Sequence, residues 1–414
     1  MKVLFLNTYD SKTSAAQNIH LLCRDLEPLG VKSEILVNIK GSGKSYVVGP
    51  KTKIEEKLNR ERNRFDSLPL NLYSHKNTTL FSPSLIPHGN IIKIVNNSDA
   101  DLVHLHWVAG GMMSIEDIGR IRKPVIWSTH DMWPFTGGCH YDGGCGKYAT
   151  HCGSCPVLGS RHTIDLSYSV HARKIKAYAK IQTLIVNGLS RWIAECAKES
   201  KVFSGREITN VSSPIDTKTF QPLNKDIARD LLNLPQDKKL ILFGGDGMLQ
   251  DPRKGYRYLK SALDLIKTPD VELLIFGSGN FGSSFPNKFP VHYLGHLKPG
   301  LEQRIVYSAA DVYVMPSIQE VLGWVSTESM ACGTPAVTFD LGGPKDIVDH
   351  MENGYRAIPC DSVSLAEGID WVLNNSAPED LSVNARQAVM NKFDSILIAN
   401  QYRELYDSIL DYKE

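Results

Sequence analysis

The sequence predicts an α/β protein of two domains, each a parallel sheet with helices on both faces. Three observations support this class. The chain has 414 residues, more than one compact domain usually contains. Short apolar runs alternate along its whole length with segments of helical periodicity. The runs are almost uninterrupted in apolar residues, which is typical of parallel strands that helices cover on both faces.

Two series of apolar runs predict the strands. The first series lies at residues 3–6, 32–37, 101–106, 124–128 and 183–186. The second series lies at residues 239–243, 271–276, 291–294, 312–315 and 335–338. The boundary is expected between Gly188 and Pro214, and we assign residues 1–188 to the first domain and 189–394 to the second. The terminal helix, within residues 395–414, is expected to cross back and pack on the first domain.

Composition excludes several classes of protein. Lys and Arg number 46 and Asp and Glu number 45, so the net charge of +1 gives no electrostatic reason to expect a nucleic-acid partner. The first residues lack the apolar stretch of a signal peptide, and no segment reaches the ~20 apolar residues of a spanning helix. Residues 51–64 mix both charges and predict a solvated helix. We therefore expect a cytoplasmic protein, with at most peripheral association at the inner face of the membrane.

The segment after the run 312–315 carries the most informative side chains. Glu320 and Glu328 stand there with seven residues between them, on either side of Gly323. A helix beginning near Gly323 would present the free N–H groups of Gly323, Trp324 and Val325 to a phosphate. Glu328 would face the same ligand, where a carboxylate can accept hydrogen bonds from both hydroxyls of a ribose. Ligands of open α/β sheets bind at this edge, beyond the carboxyl ends of the strands.

This arrangement, followed by A-C-G-T-P-A-V at residues 331–337, resembles the donor site of glycosyltransferase family 4, which are retaining enzymes of the GT-B fold. Further matching segments keep the family's order along the chain: 213–216, 243–245, 253–255, 276–279 and 307–312. Residues 101–111 and 130–141 narrow the resemblance to bacterial capsule and exopolysaccharide transferases, including colanic-acid-type enzymes. The resemblance implies two Rossmann-like domains with a cleft between them, the donor nucleotide on the second domain and the acceptor on the first.

The same resemblance assigns roles in the donor site. Lys254, with Arg253 beside it, would neutralise the diphosphate leaving group, and Glu320 would position the donor sugar. Many relatives carry an arginine directly after the glycine that corresponds to Gly245, whereas Asp246 stands there in this chain, and Arg253 is a candidate to replace it. The residues expected to bind the donor are Arg253, Gly277, Leu322, Gly323, Trp324, Val325 and Glu328.

The first domain is expected to supply a histidine and the acceptor site. His130 follows the run 124–128, where the family has its active-site histidine, and would contact the transferred sugar or the acceptor; a histidine satisfied by Asp131 or by the backbone is the alternative. Ser14 and Ala15, which stand where relatives place a Gly-Gly loop, are assigned to the acceptor together with Trp133. Ser14 is equally suited to cap the next helix.

Four cysteines fall within seventeen residues: Cys139, Cys145, Cys152 and Cys155. In a cytosolic protein this spacing, among many glycines, favours a tetrahedral zinc ion that braces the loop carrying His130. Two disulfides or plain buried thiols are the alternatives. The zinc would be structural, and no catalytic metal is expected.

The resemblance implies a retaining hexosyltransferase that moves a sugar from a UDP- or GDP-sugar to a saccharide acceptor, expected to be lipid-linked, in surface polysaccharide biosynthesis. Because no carboxylate nucleophile is evident, front-face attack assisted by the leaving phosphate is the expected route to retention. Two alternatives stay open. One is a sugar-nucleotide epimerase of the same fold, and the other is a non-catalytic scaffold that binds nucleotide sugars in a polysaccharide cluster.

Overall fold

A computed structural model of the chain describes residues 1–11, 13–245, 247–248, 250–277 and 288–411. Contacts divide the chain into two compact units. The first unit comprises Met1–Pro214 and Ile398–Glu414, and the second comprises Ile215–Leu397. Each unit is built on one parallel sheet. None of the described helices combines the length and the apolar character that crossing a membrane requires.

The sheet of the first unit has seven strands, with helices in the connections. The strands are β1 (Lys2–Tyr9), β2 (Lys32–Ile39), β3 (Val47–Val48), β4 (Leu102–Leu105), β5 (Val125–Thr129), β6 (Leu184–Gly188) and β7 (Glu207–Thr209). The helices are α1 (Ser14–Leu26), α2 (Lys53–Asp66), α3 (Gly89–Asn97), α4 (Ile115–Ile118), α5 (Leu166–Tyr178) and α6 (Arg191–Glu199). The strand order is β3-β2-β1-β4-β5-β6-β7, and every neighbouring pair is parallel.

The sheet of the second unit has six strands. They are β8 (Lys239–Gly244), β9 (Val271–Phe276), β10 (Val291–Gly295), β11 (Val312–Met315), β12 (Ala336–Phe339) and β13 (Gly354–Ala357). Its helices are α7 (Lys225–Leu231), α8 (Tyr256–Leu265), α9 (Leu301–Ala309), α10 (Trp324–Ala331), α11 (Ser362–Leu373) and α12 (Pro378–Phe393). The last described helix is α13 (Ser395–Asp411), most of which belongs to the first unit. The order is β10-β9-β8-β11-β12-β13, again parallel throughout.

Alternation along β8 shows why these runs form buried strands. Leu240 and Leu242 pack in one apolar cluster, whereas Ile241 and Phe243 pack in another on the opposite face of the sheet. All four side chains are fully buried. Successive side chains of a strand point to opposite faces, so both faces of this sheet need a helical cover.

The first unit extends further along the chain than residue 188, so the predicted boundary is corrected. After β6, the chain forms α6 and then β7, which pairs in parallel with β6 from Ile185 to Asn187. The boundary lies at Pro214. The short strand β7 is polar and only partly buried, so it has no apolar run that the sequence could reveal.

The terminal helix α13 belongs to the first unit from Ile398 onwards. Its Tyr406 hydroxyl lies 2.8 Å from Nδ1 of His104 on β4, and its Tyr402 hydroxyl lies 3.1 Å from Oγ of Ser128 on β5. Both tyrosines are fully buried. These hydrogen bonds fix the helix to the centre of the first sheet.

Candidate functional site

The predicted donor residues of the second unit follow β8, β9 and β11, whose carboxyl ends lie at one edge of the sheet. Two loops pack closely there. Gly255 has φ of +69°, and a Cβ atom at this position would overlap the carbonyl oxygen of Pro316. The amide of Ile318 donates to the carbonyl oxygen of Arg253 at 2.7 Å. The loop that carries Lys254 therefore lies directly against the loop that carries Glu320.

This packing brings Lys254 and Glu320 together. Nζ of Lys254 lies 2.6 Å from Oε2 of Glu320, and both side chains keep part of their surface exposed, 28% and 15%. The two charges neutralise each other here, so an arriving diphosphate would have to compete with Glu320 for the ammonium group. Arg253 pairs with the carboxylate of Asp251 and also donates to the carbonyl oxygen of Gln319, next to Glu320, at 3.4 Å. Its charge is already compensated by Asp251.

Helix α10 begins at Trp324, next to the expected start at Gly323. Gly323 has φ of +103°, and a Cβ atom there would come within 2.6 Å of the Met315 side chain. No side chain caps this helix; the hydroxyls of Ser326 and Thr327 instead donate back to the Gly323 carbonyl oxygen. The first N–H groups of α10 therefore remain available to an anion. The side chain of Leu322, which was also predicted to bind the donor, is buried, so only its backbone can face a ligand.

Glu328 lies in the second turn of α10 and is 5% exposed. Its Oε2 accepts a hydrogen bond of 2.9 Å from the hydroxyl of Tyr307 on α9. Burial raises the pKa of Glu328 to about 7, although the bond from Tyr307 works in the opposite direction. A carboxylate that has lost its water in this way gains strongly from new hydroxyl donors such as those of a ribose.

Gly277 ends β9 beside the end of β8. Its amide donates to the carbonyl oxygen of Gly295 at 2.8 Å, and its φ is +115°. The space next to it is filled by the backbone of Gly245, so no side chain fits there. Two further points of the prediction, Asp246 after Gly245 and residues 278–279 of the matching segment 276–279, lie outside the described residues.

In the first unit, His130 follows β5 and bonds to a second histidine that the sequence reading did not single out. Nε2 of His130 lies 2.8 Å from Nδ1 of His106, which follows β4. Burial lowers the pKa of His130 to about 4 and that of His106 well below its usual value. Both rings are therefore neutral at pH 7. The other ring nitrogen of His106, Nε2, is buried without a hydrogen-bond partner.

Asp131 does not bond to His130, so the alternative in which Asp131 satisfies that histidine is wrong. Its carboxylate accepts from Trp107 Nε1 at 2.9 Å, from His140 Nδ1 at 2.6 Å and from the amide of Trp133 at 2.8 Å. Burial raises the pKa of Asp131, but the charge and hydrogen bond of His140 outweigh it and hold the pKa below its usual value. Asp131 thus ties the loop after β5 to the loop after β4.

The residues assigned to the acceptor are not grouped as expected. Trp133 is 2% exposed, donates from Nε1 to the carbonyl oxygen of Ser82, and lies under the ammonium group of Lys174 at 4.0 Å. Its ring has no surface to offer a ligand. Ala15 is buried in α1, and Ser14 is exposed at the first position of that helix. The cap of α1 is Thr13, whose hydroxyl accepts from the amide of Ala16, so the expectation that Ser14 caps the helix is corrected.

The four cysteines of the glycine-rich segment are close enough to influence one another, and all are free thiols. Burial raises the pKa of Cys139 well above its usual value and that of Cys152 to about 12. Among the described residues, no group of three or more His, Cys, Asp or Glu side chains could hold a metal ion. The structural zinc therefore stays a prediction without support from the side-chain arrangement, and the disulfide alternative is likewise not formed.

Several residues of these sites were missed by the sequence reading. Tyr307 contacts Glu328, and His106 contacts His130, across separate elements of the fold. Contacts of this kind cannot be predicted from the spacing of residues in the sequence. Gly343 could have been found, because a Gly-Gly pair in the loop after a strand is a signal for close backbone approach. Its amide donates to the Glu320 carbonyl oxygen at 3.0 Å, and a Cβ atom there would overlap the carbonyl oxygen of Val321. It holds the Glu320 loop in place.

Comparison of the sequence with known families finds one match. Residues 224–388 match the family described as Glycosyl transferases group 1. An uncharacterized glycosyltransferase of Methanocaldococcus jannaschii is 32% identical over 187 residues, which are 43% of this chain and 47% of that protein. The chain spans about half the length of the curated relatives it matches.

Solved structures match over the whole chain. Sucrose-phosphate synthase from Thermosynechococcus elongatus has a TM-score of 0.68 at 19% identity and covers 100% of both chains. The Anabaena protein HepE, solved in complex with UDP and glucose, has a TM-score of 0.65 at 16% identity and covers 99% of this chain and 100% of that chain. At these identities the likeness shows the fold alone. It confirms the predicted α/β class with two Rossmann-like domains of the GT-B type.

Proposed function

We propose that this chain is an enzyme that transfers a sugar from a nucleotide-sugar donor. The premise is that residues 224–388 belong to the group 1 glycosyltransferase family. One observation carries the proposal. Lys254, Glu320 and the uncapped N-terminus of α10, with Glu328 in its second turn, all lie on loops and a helix at the carboxyl edge of one sheet. Together they offer a cation and free amides for a diphosphate and a carboxylate for a ribose.

The proposed donor is a UDP- or GDP-sugar, and the proposed enzyme is a retaining hexosyltransferase of glycosyltransferase family 4. The complex of HepE with UDP and glucose, which has the same fold, supports a donor of this class. Glu328 would accept hydrogen bonds from the ribose hydroxyls. Lys254 would leave its pair with Glu320 to contact the diphosphate, and Glu320 would then be free to bind the donor sugar.

In this proposal the leaving phosphate takes the proton of the attacking hydroxyl. The pKa of His130, about 4, supports this assignment because an imidazole with so low a pKa is a weak base and would not take this proton at pH 7. His130 would serve as a hydrogen-bond partner of the sugar. The charge that develops on the diphosphate as the glycosidic bond breaks would be stabilised by Lys254 and by the first N–H groups of α10.

The proposed acceptor is a saccharide carried on a lipid, in surface polysaccharide biosynthesis, with the protein at the inner face of the membrane. Helix α2 and the turn after it support a membrane contact. Ile54, Leu58 and Phe65 lie along one side of the helix and are 73%, 60% and 56% exposed, and Leu72 beyond the helix is 86% exposed. Large apolar side chains exposed in a row usually mark an interaction surface. The helix was expected to be merely solvated, because its sequence mixes both charges.

A turnover assay tests the proposal. The protein is incubated with UDP- or GDP-sugars and a set of lipid-linked saccharide acceptors, and the products are separated by mass spectrometry. New glycoside from the native chain, and its loss in Lys254→Ala with unchanged folding, is the expected result. Interconversion of the sugar nucleotide without glycoside would instead indicate an epimerase. Tight nucleotide binding with neither product would indicate a scaffold, and either outcome would overturn the proposal.

A further inference from the structure

The first unit contains a second candidate site, on the edge of the sheet opposite to His130. A groove of about 630 Å³ lies between the last turn of α3, the turn before β5 and the segment before β6. Its lining residues immediately precede the strands, so the groove is at their amino ends. His130 and His106 lie beyond the carboxyl ends of β5 and β4. The groove is therefore separate from the histidine site.

The groove is lined by positive charge. Lys93, Arg120, Arg122 and Lys180 contribute four cationic side chains, and no carboxylate of the described residues lines it. Two of these cations lie side by side because buried and exposed residues alternate in this turn. Ile121 is 4% exposed, so Arg120 and Arg122 on either side of it both face outwards. For a chain with a net charge of +1, this is a local excess and not a reflection of its composition.

These charges are only partly neutralised by the described residues. Lys93, Arg122 and Lys180 make no hydrogen bond or ion pair with their side chains in the described part of the chain. Arg120 forms an ion pair of 3.6 Å with Oδ1 of Asp117, and its side chain stays 62% exposed. Glu116, whose carboxylate is close enough to Lys180 to influence its own pKa, is already bound by Arg173.

The carboxylate of Glu116 accepts two hydrogen bonds from the guanidinium group of Arg173, at 2.6 and 2.8 Å. The other nearby acid, Asp117, accepts from the amides of His88 and Ser114. These bonds use Oδ2 of Asp117, whereas its Oδ1 faces Arg120. An anion from solution would therefore compete with a carboxylate at Arg120, but with no carboxylate of the described residues for Lys93, Arg122 and Lys180.

The backbone under the charges is fixed. The side chain of Asn96 donates from Nδ2 to the carbonyl oxygen of Arg120 and accepts at Oδ1 from the amide of Arg122, both at 3.0 Å. Nζ of Lys123 donates to the carbonyl oxygen of Ala100 at 2.8 Å. The turn that carries both arginines is therefore held on the end of α3. The entropic cost of ordering this turn on binding would be small, because only the long side chains remain to be fixed.

We infer that this groove binds a ligand with clustered phosphate groups. Guanidinium and ammonium groups grouped with little counter-charge match phosphate oxygens, which accept several charge-assisted hydrogen bonds at once. The volume admits more than one phosphate. Two sources share this chemistry: a soluble polyphosphate and the headgroup of an acidic phospholipid. The inference does not depend on the proposed transferase activity, because its residues lie at the other edge of the sheet.

The test uses the full chain in the Lys254→Ala background, so that phosphate binding at the donor site does not obscure the result. Pyrophosphate is titrated calorimetrically, and vesicles with and without phosphatidylglycerol are sedimented with the protein. The double variant Arg122→Glu with Lys180→Glu is compared with a matched control, Lys198→Glu with Lys201→Glu, which reverses two exposed lysines elsewhere in the unit.

We expect the groove variant to bind about tenfold more weakly or worse, because two charge-assisted contacts become repulsive, while the control binds as before. Loss with pyrophosphate identifies a soluble ligand, and loss with acidic vesicles alone identifies a lipid headgroup. Equal binding by both double variants, or no binding of either probe to the parent chain, would overturn the inference. Thermal unfolding of both variants shows whether they fold.

Discussion

The raised pKa of Glu328 makes nucleotide binding dependent on protons. With a pKa of about 7 in the free protein, about half of the Glu328 side chains carry a proton at pH 7. A ribose that donates two hydroxyls to this side chain requires the ionised form. Binding should therefore release about half a proton at pH 7, and the dissociation constant should be about tenfold larger at pH 6 than at pH 8.

Calorimetry measures both quantities. The ligand should be a nucleotide sugar, such as UDP-glucose or GDP-mannose, because its diester phosphates do not titrate in this range. Titrations at pH 6, 7 and 8 in buffers of different ionisation enthalpy give the dissociation constant and the number of protons released. Glu328→Gln keeps the size of the side chain but cannot ionise, so its weaker binding should not vary with pH. A native chain whose affinity is the same from pH 6 to 8, or a variant that binds as tightly as the native chain, would refute the reasoning.

The raised pKa of Glu328 also makes the stability of the folded chain depend on pH. The folded pKa of Glu328 lies above its ordinary value of 4.5, so the folded chain keeps a proton that the unfolded chain releases. Stability is therefore lost as the pH rises through the window from 4.5 to 7, by at most about 3 kcal/mol. Urea unfolding of Glu328→Gln should show a gain of this order at pH 8 and almost none at pH 4.5. An equal gain at both pH values would show that folding does not raise the pKa of Glu328.

Three further predictions concern the other residues of the sites. Lys254→Ala should lower turnover by about 10²- to 10³-fold with little change in thermal stability, because it removes the cation proposed for the leaving group; normal turnover would contradict that role. His106→Phe should lower turnover about tenfold, because it frees the His130 ring. His106→Asn keeps a polar atom near the position of Nδ1 and should lower turnover less. Equal losses of turnover in the two variants would argue against a role for the hydrogen bond. Gly255→Ala should lose at least about 2 kcal/mol of unfolding free energy, more than Gly295→Ala, which has a similar positive φ but open space.

The strands were predictable because burial on both faces leaves a continuous apolar run. The ten predicted runs all coincide with observed strands, and the limits differ by a few residues. The strands that were missed are β3, β7 and β13. The first has two residues, and the other two contain polar side chains that are only partly buried. A domain boundary inferred from apolar runs therefore fell before β7 and not after it.

The donor site was predictable in outline because its residues lie close together in the sequence. The spacing of Glu320 and Glu328 and the start of α10 depend on local structure alone. The partner of each side chain depends on contacts between distant elements, such as Tyr307 with Glu328 and Lys254 with Glu320. Burial was the least predictable property. Trp133 follows β5 among candidate site residues, yet its ring is in the core, where it packs against Trp127 of β5 and donates from Nε1 to the carbonyl oxygen of Ser82.

Burial determines which of the candidate residues carry a full charge. It lowers the pKa of His130 and raises that of Glu328, so it moves each group towards its neutral form. Lys254 keeps a partly exposed side chain and a carboxylate partner, and it is therefore the group that can bring a full charge to a diphosphate. The neutral ring of His130 is suited to form hydrogen bonds with hydroxyls, and Glu328 is suited to accept them once ribose binding has displaced its proton. This arrangement fits a chemistry in which the leaving phosphate acts as the base, since no protein group then has to give or take a proton in the transfer step itself.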